Sequence, residues 1–123
     1  MQEMGNSDLK ERTKNFALKI IHLVEALPQK QTTKILGMQL LRSGTSVGAN
    51  YRAACRARSV SEFIAKMGIV EEEVDETIYW FELLNENKMS DPKETDPLIK
   101  EAQELLAITI SSIKTARRNK KGV

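Results

Sequence analysis

Apolar side chains recur at three- and four-residue steps through four successive segments of this chain, and that period leaves few folds open. In the first segment Leu9, Phe16, Ile20, Leu23, Val24 and Leu27 share one helical face. Ser7 or Asp8 can accept the first free amides, so the helix is expected to start there. Pro28 either ends it or opens the next. The second segment, from about Gln29 to Arg58, carries Ile35 or Leu36, then Leu40, Gly44, Val47, Tyr51, and Ala54 with Cys55. Its centre, Ser43 to Asn50, is rich in glycine, serine and threonine. Each helical glycine costs about 1 kcal/mol relative to alanine, so a break into two shorter helices is the alternative. The apolar spacing stays in phase across the stretch, which favours one continuous helix whose small residues admit a neighbouring backbone.

Ser59-Val60-Ser61-Glu62 has the pattern of a capping box and opens a third helix. Phe63, Met67, Val70, Val74, Ile78 and Phe81 make its stripe, and it runs to about Leu84 or Asn87. The fourth helix starts either near Asp91-Pro92 or at Asp96-Pro97, since each pair offers a capping aspartate followed by proline. Leu98, Ala102, Leu105, Thr109, Ile113 and Ala116 carry its apolar face. Four amphipathic helices with short connections predict an all-α, antiparallel up-down-up-down four-helix bundle. It fills one domain over residues 1–123, with flexible ends expected at about 1–7 and 119–123.

The 123 residues suffice for one core without disulfides or metals. No apolar run approaches the roughly 18 residues that span a bilayer, and the N-terminus lacks the basic and apolar regions of a secretory signal. With one cysteine, no intrachain disulfide is possible. A cytoplasmic protein without a membrane partner is the plain reading.

Charge is unevenly spread. Residues 1–58 hold ten Lys/Arg against four Asp/Glu, 59–104 hold four against thirteen, and 105–123 hold five against none. Such blocks are either surfaces with different partners or complementary faces packing within a bundle or between subunits.

The motif Arg42-Ser43-Gly44-Thr45-Ser46-Val47-Gly48-Ala49-Asn50-Tyr51-Arg52, within the longer stretch Gln39 to Ala57, resembles the signature of a bacterial four-helix-bundle family. That family is also named for proteins encoded in intervening sequences of 23S ribosomal RNA genes. Ser61 to Met67, Asp75 to Leu84 and Ser112 to Arg117 are similar to it as well, so the likeness spans about Phe16 to Arg118. The resemblance implies a four-helix bundle assembled as a homopentameric ring. A related branch is the accessory protein of diversity-generating retroelements, which works with a reverse transcriptase and binds nucleic acid. The resemblance implies no enzymatic activity.

The residues agree that chemistry is absent. A di-iron bundle needs paired Glu-x-x-His motifs, but His22 is the only histidine and Lys19 stands three before it. Zinc lacks ligands for the same reason. His22 reads as a boundary residue. Cys55 lies on an apolar stripe and reads as a buried structural thiol, since nothing places a base beside it. Gly44-x-x-x-Gly48 is a close-packing motif and not a phosphate loop. Ser43, Thr45 and Ser46 lack the context of a hydrolase elbow. Glu71, Glu72, Glu73, Asp75 and Glu76 read as a solvated or salt-bridging face. No catalytic residue, cofactor, metal or small-molecule substrate is expected.

The binding candidates are cationic. Arg42, Arg52, Arg56 and Arg58 follow one another along the second segment, and Arg52 and Arg56 share a face. They either clasp phosphate or pair with the acidic face of the third helix. Lys114, Arg117, Arg118, Lys120 and Lys121 make a uniformly basic end, so RNA or DNA is the expected partner beside the chain itself. A second stripe on the third helix, Ala65, Ile69, Glu72, Glu76, Trp80 and Leu83, lies roughly 100° from the first. Ile69, Trp80 and Leu83 are therefore candidates for a subunit interface; a neighbouring helix of the same chain is the alternative cover. The function these features suggest is a non-enzymatic oligomer that binds nucleic acid, or a structural scaffold without that role.

Overall fold

The computed structural model describes residues 2–122, with side chains from Asp8 to Lys121. Four helices follow in order: α1 Gln2–Glu25, α2 Gln31–Cys55, α3 Val60–Glu86 and α4 Pro92–Gly122. Each packs on the next, and α4 returns to α1 to close the bundle. The core is the set of stripes read from the sequence. Phe16 and Ile20 on α1, Leu40 and Val47 on α2, Met67, Val74 and Phe81 on α3, and Ala102 and Leu105 on α4 are all essentially inaccessible.

Local chemistry explains most boundaries. Ser59 is extended and its hydroxyl accepts from the Glu62 amide at 3.0 Å, capping α3. The reciprocal contact slips by one residue, because the Glu62 carboxylate accepts from the Arg58 amide at 2.9 Å and not from Ser59. α3 ends in a Schellman turn: the Met89 amide donates to the Leu84 carbonyl at 2.8 Å and the Lys88 amide to Asn85 at 3.0 Å. Lys88 occupies the left-handed position of that turn, with φ 57°. α4 starts at Pro92, where the Asp91 carboxylate accepts from the Lys93 amide at 3.0 Å.

Several expectations need correction. α1 begins at Gln2 and not at Ser7 or Asp8, so neither residue acts as a cap. The expected looseness of residues 1–7 concerns side chains outside the described residues. α2 ends at Cys55, three residues before Arg58, because the Arg56 and Ala57 amides turn to Ala53 and Ala54. On its apolar face Leu36 packs against the core, whereas Ile35 is 54% exposed. Thr77 is buried on α3 where Ile78 was expected, and Ile78 is half-buried beside it. Thr77 fits because its hydroxyl donates to the Glu73 carbonyl at 2.7 Å, and its oxygen lies 3.0 Å from the Ser43 hydroxyl, from which it can accept. Pro97 lies inside α4 instead of starting it; Lys93 and Pro97 face solvent, so water can take the carbonyl that proline leaves free.

α2 is continuous through its weak centre, and its glycines face α1. A methyl added at Gly44 would meet Ile20 at 2.4 Å, one at Gly48 would meet Thr13 at 3.1 Å, and one at Gly37 would meet Leu27 at 3.2 Å. The low helix propensity of the segment is thus exchanged for close approach of two backbones.

Candidate nucleic-acid interface

Two registers locate the basic residues. Thr95 donates to Asn85 and Lys120 donates to Ser61, so α3 and α4 stay in step along their whole length. The end of α4 therefore lies beside the start of α3, where α2 has just ended. Arg58 on one side and Arg117, Lys120 and Lys121 on the other meet there, although about sixty residues of mainly acidic sequence separate them. Arg117, Lys120 and Lys121 line a recess of about 460 Å³ together with Ser61 and Ile64. Arg58 lines a neighbouring recess of about 430 Å³ with Phe63, Ala116 and Asn119. Lys114 and Arg118 are exposed on α4 but line neither recess.

Arg52 and Arg56 are exposed and make no salt bridge among the described residues. Of the two readings open for them, pairing with the acidic face of α3 is not what the fold does. Arg52 lies over the α1–α2 groove with Lys10 and Lys14, which the sequence reading missed. The four-residue spacing of those lysines was the available signal.

Arg42 is the exception. Its guanidinium donates to Glu76 and, at 3.4 Å, to Glu73. It belongs to a network on the outer seam between α2 and α3, far from the basic end. Trp80 joins that network, donating from its indole N–H to Glu76 at 3.0 Å, and Tyr79 meets the Trp80 ring edge-on at 5.1 Å. α2 and α3 are antiparallel, so one turn back from Arg42 and one turn on from Glu76 lie side by side. That juxtaposes Met38 and Ile35 with Tyr79, Trp80 and Leu83. Met38 is 67% exposed and Tyr79 52%. Trp80 and Leu83 are half-buried and Ile69 is exposed on the far side of the ion pairs. The second stripe is thus divided: Ala65, Ile69 and Glu72 are exposed, whereas Glu76 and Leu83 are half-buried and Trp80 packs partly against the chain's own core, with the exposed Ile35, Met38 and Tyr79 nearby.

Elsewhere the seam between α1 and α4 is held by Arg12, which donates to both Glu101 oxygens at 2.7 and 3.0 Å and to Glu104 at 2.9 Å. Those bonds, Glu101 first, hold the guanidinium even above its ordinary range. Beside it runs a groove of about 520 Å³ floored by Phe16, Leu23 and Leu98, with the exposed His22 on its lip. Ile20 faces Gly44, so His22 lies level with about residue 42 of α2. Cys55 is some 13 residues, or about 20 Å, farther along. No base reaches it. The thiol is half-buried and packs against the core, less buried than expected. Burial, then the bond to Cys55, pushes the Tyr51 hydroxyl above its usual range. Among the described residues no group of three His, Cys, Asp or Glu could hold a metal, and no helix is long and apolar enough to cross a membrane.

Residues 6–111 match the family model described as 23S rRNA-intervening sequence protein. Among solved structures, a protein of unknown function from the S23 ribosomal protein family of Bacteroides thetaiotaomicron is 35% identical, with a TM-score of 0.82 over 89% of this chain and 97% of that one. No curated protein matches.

Proposed function

The chain belongs to the 23S rRNA-intervening sequence protein family, and from that premise we propose that it is a non-enzymatic, self-assembling accessory protein that binds the phosphate backbone of nucleic acid. One observation carries the reading. Two basic segments, separated in sequence by the most acidic third of the chain, converge on one end of the bundle at Arg58, Arg117, Lys120 and Lys121. Folding that gathers like charge without pairing it is costly unless an anion is the partner. Arg52, Arg56, Lys114 and Arg118 widen the same field. The patch lacks a row of exposed aromatic rings, so contact with backbone and not stacking on bases is its mode.

The outer α2–α3 seam supports assembly. Met38 lies 18 residues from Arg56 along α2, about 27 Å at helical rise, so association through the seam leaves the basic end free. A closed cyclic ring, of five subunits in our reading, turns every basic end to one side. Repetition then converts a weak contact into an array. A cytoplasmic location and a working partner such as a reverse transcriptase fit this role, since the partner supplies chemistry that this chain lacks. Cys55→Ser and His22→Ala are expected to leave any activity of the protein largely intact; loss of an activity in either, with the fold and oligomer preserved, would reopen an enzymatic reading.

The test is binding of RNA and DNA by fluorescence anisotropy at about 50 mM salt. Replacing Arg117, Arg118, Lys120 and Lys121 together by alanine should weaken binding uniformly across sequences and flatten its salt dependence. Full-strength binding by that variant contradicts the proposal. The second reading, a protein-interaction scaffold, draws on the same exposed seam and predicts assembly without any nucleic-acid binding.

A further inference from the structure

We propose that the recess formed by Ser61, Ile64, Arg117, Lys120 and Lys121 binds the terminal phosphomonoester of a nucleic-acid strand. This rests on the nucleic-acid reading above and adds to it a particular ligand group. The neighbouring recess holds Arg58 as its one cation, and the α1–α2 groove that holds Arg52, Lys10 and Lys14 also holds Glu11. In the proposed site, three cations from the last turns of α4 surround a concavity of about 460 Å³ whose apolar side is Ile64. The Lys120 ammonium is held there by donating to the Ser61 hydroxyl. That hydroxyl keeps its own proton for an anionic oxygen.

The charge favours a strand end. A phosphomonoester carries about −1.5 to −2 at pH 7, against −1 for each backbone diester, and offers three acceptor oxygens. Three cationic donors and a hydroxyl match the larger charge and the extra oxygens. The volume exceeds that of a phosphate group, leaving room for the first sugar, which Ile64 can contact. Glu62 is the nearest carboxylate in sequence, and its side chain is turned to the Arg58 amide at 2.9 Å. The competing explanation is that Lys120 and Lys121 only offset the negative end of the α4 dipole. That explanation accounts for stability and for no preference among ligands.

The experiment uses the full-length protein and one RNA sequence made in three forms: with a 5′-phosphate, with a 3′-phosphate, and with hydroxyls at both ends. Each carries an internal fluorophore, and affinities are read by anisotropy at about 50 mM salt. One phosphorylated form should bind about tenfold tighter than the hydroxyl form, the effect of one added set of charge-assisted bonds. In Ser61→Ala with Lys120→Ala the phosphorylated and hydroxyl strands should bind equally, both more weakly than to the parent because Lys120 also belongs to the backbone-binding surface. Inorganic phosphate at millimolar concentration should erase the advantage and leave the hydroxyl strand bound. Equal affinity for all three forms overturns the inference and leaves the backbone-binding proposal standing. An advantage that survives in the double variant overturns this location. No binding of any form removes both.

Discussion

A methyl group added at Gly44 of α2 would lie 2.4 Å from the δ-carbon of Ile20 on α1, whose side chain is fully buried. Gly44→Ala gains about 1 kcal/mol of helix propensity. It meets an overpacking cost of about 1–3 kcal/mol. The expected net effect in denaturant unfolding is a loss of about 1 kcal/mol. Ile20→Val removes the clashing carbon and alone should cost about 0.5–1.5 kcal/mol. The double variant should therefore be more stable than the two single losses predict. A stabilising Gly44→Ala would contradict close approach as the reason for glycine here. Gly68, with nothing within 4 Å of an added methyl, is the comparison: Gly68→Ala should stabilise.

Lys88 holds the left-handed position of the turn after α3, with φ 57°. A side chain there costs roughly 1–2 kcal/mol that glycine does not incur. Part of that gain is lost to the greater freedom of glycine in the unfolded chain. Lys88→Gly should raise stability by about 0.5–1 kcal/mol in thermal or denaturant unfolding. A loss would mean that Lys88 makes a contact outweighing its backbone strain.

Tyr51 supplies a pH dependence. Burial raises its folded-state pKa above the ordinary value of 10.0. The folded chain then keeps a proton that the unfolded chain has lost. Its contribution to stability is complete below about pH 10 and declines as pH rises beyond it. Tyr51→Phe should show a shallower fall in melting temperature between about pH 9.5 and 11 than the parent. Parallel curves would contradict the buried environment of that hydroxyl.

The helices and their buried faces were legible because each stripe keeps helical period and because Ser59 and Asp91 carry explicit caps. The continuity of α2 was legible too, since Leu40, Val47 and Tyr51 stay in phase across glycines that look like a break. What was not legible depended on pairing between helices. Ile35 and Leu36 are equally apolar, and only the placement of α3 decides which one turns outward. Thr77 reads as polar until Ser43 is opposite it. Arg42 looked like its cationic neighbours, yet Glu73 and Glu76 lie across from it and no local pattern announces that. The basic end is the largest gain from the fold, since Arg58 and Lys120 are remote in sequence and become neighbours only when α4 returns along α3.

Assembly should depend on the outer α2–α3 seam. Met38 is 67% exposed on the turn of α2 that the antiparallel register sets opposite Trp80, a position where a lone apolar side chain gains nothing in a monomer. Light scattering at micromolar concentration should give several times 13.9 kDa for the parent chain. Met38→Asp should shift the mass toward one subunit without loss of helical circular dichroism, because Met38 supports no core contact. A parent protein that runs as a clean monomer would remove the assembly proposal.

The most direct measurement of the central claim is the salt dependence of binding to duplex DNA and single-stranded RNA by the intact protein. Backbone contact through the basic end predicts saturable binding at about 50 mM salt without strong sequence preference. On duplex DNA the log–log slope should be about −0.9 for every phosphate neutralised. Arg52→Ala with Arg56→Ala should reduce that slope and leave thermal stability unchanged, since both side chains are exposed and make no salt bridge among the described residues. Absence of binding to either nucleic acid at about 50 mM salt, by protein shown to be folded and assembled, would contradict the account and leave the scaffold reading in its place.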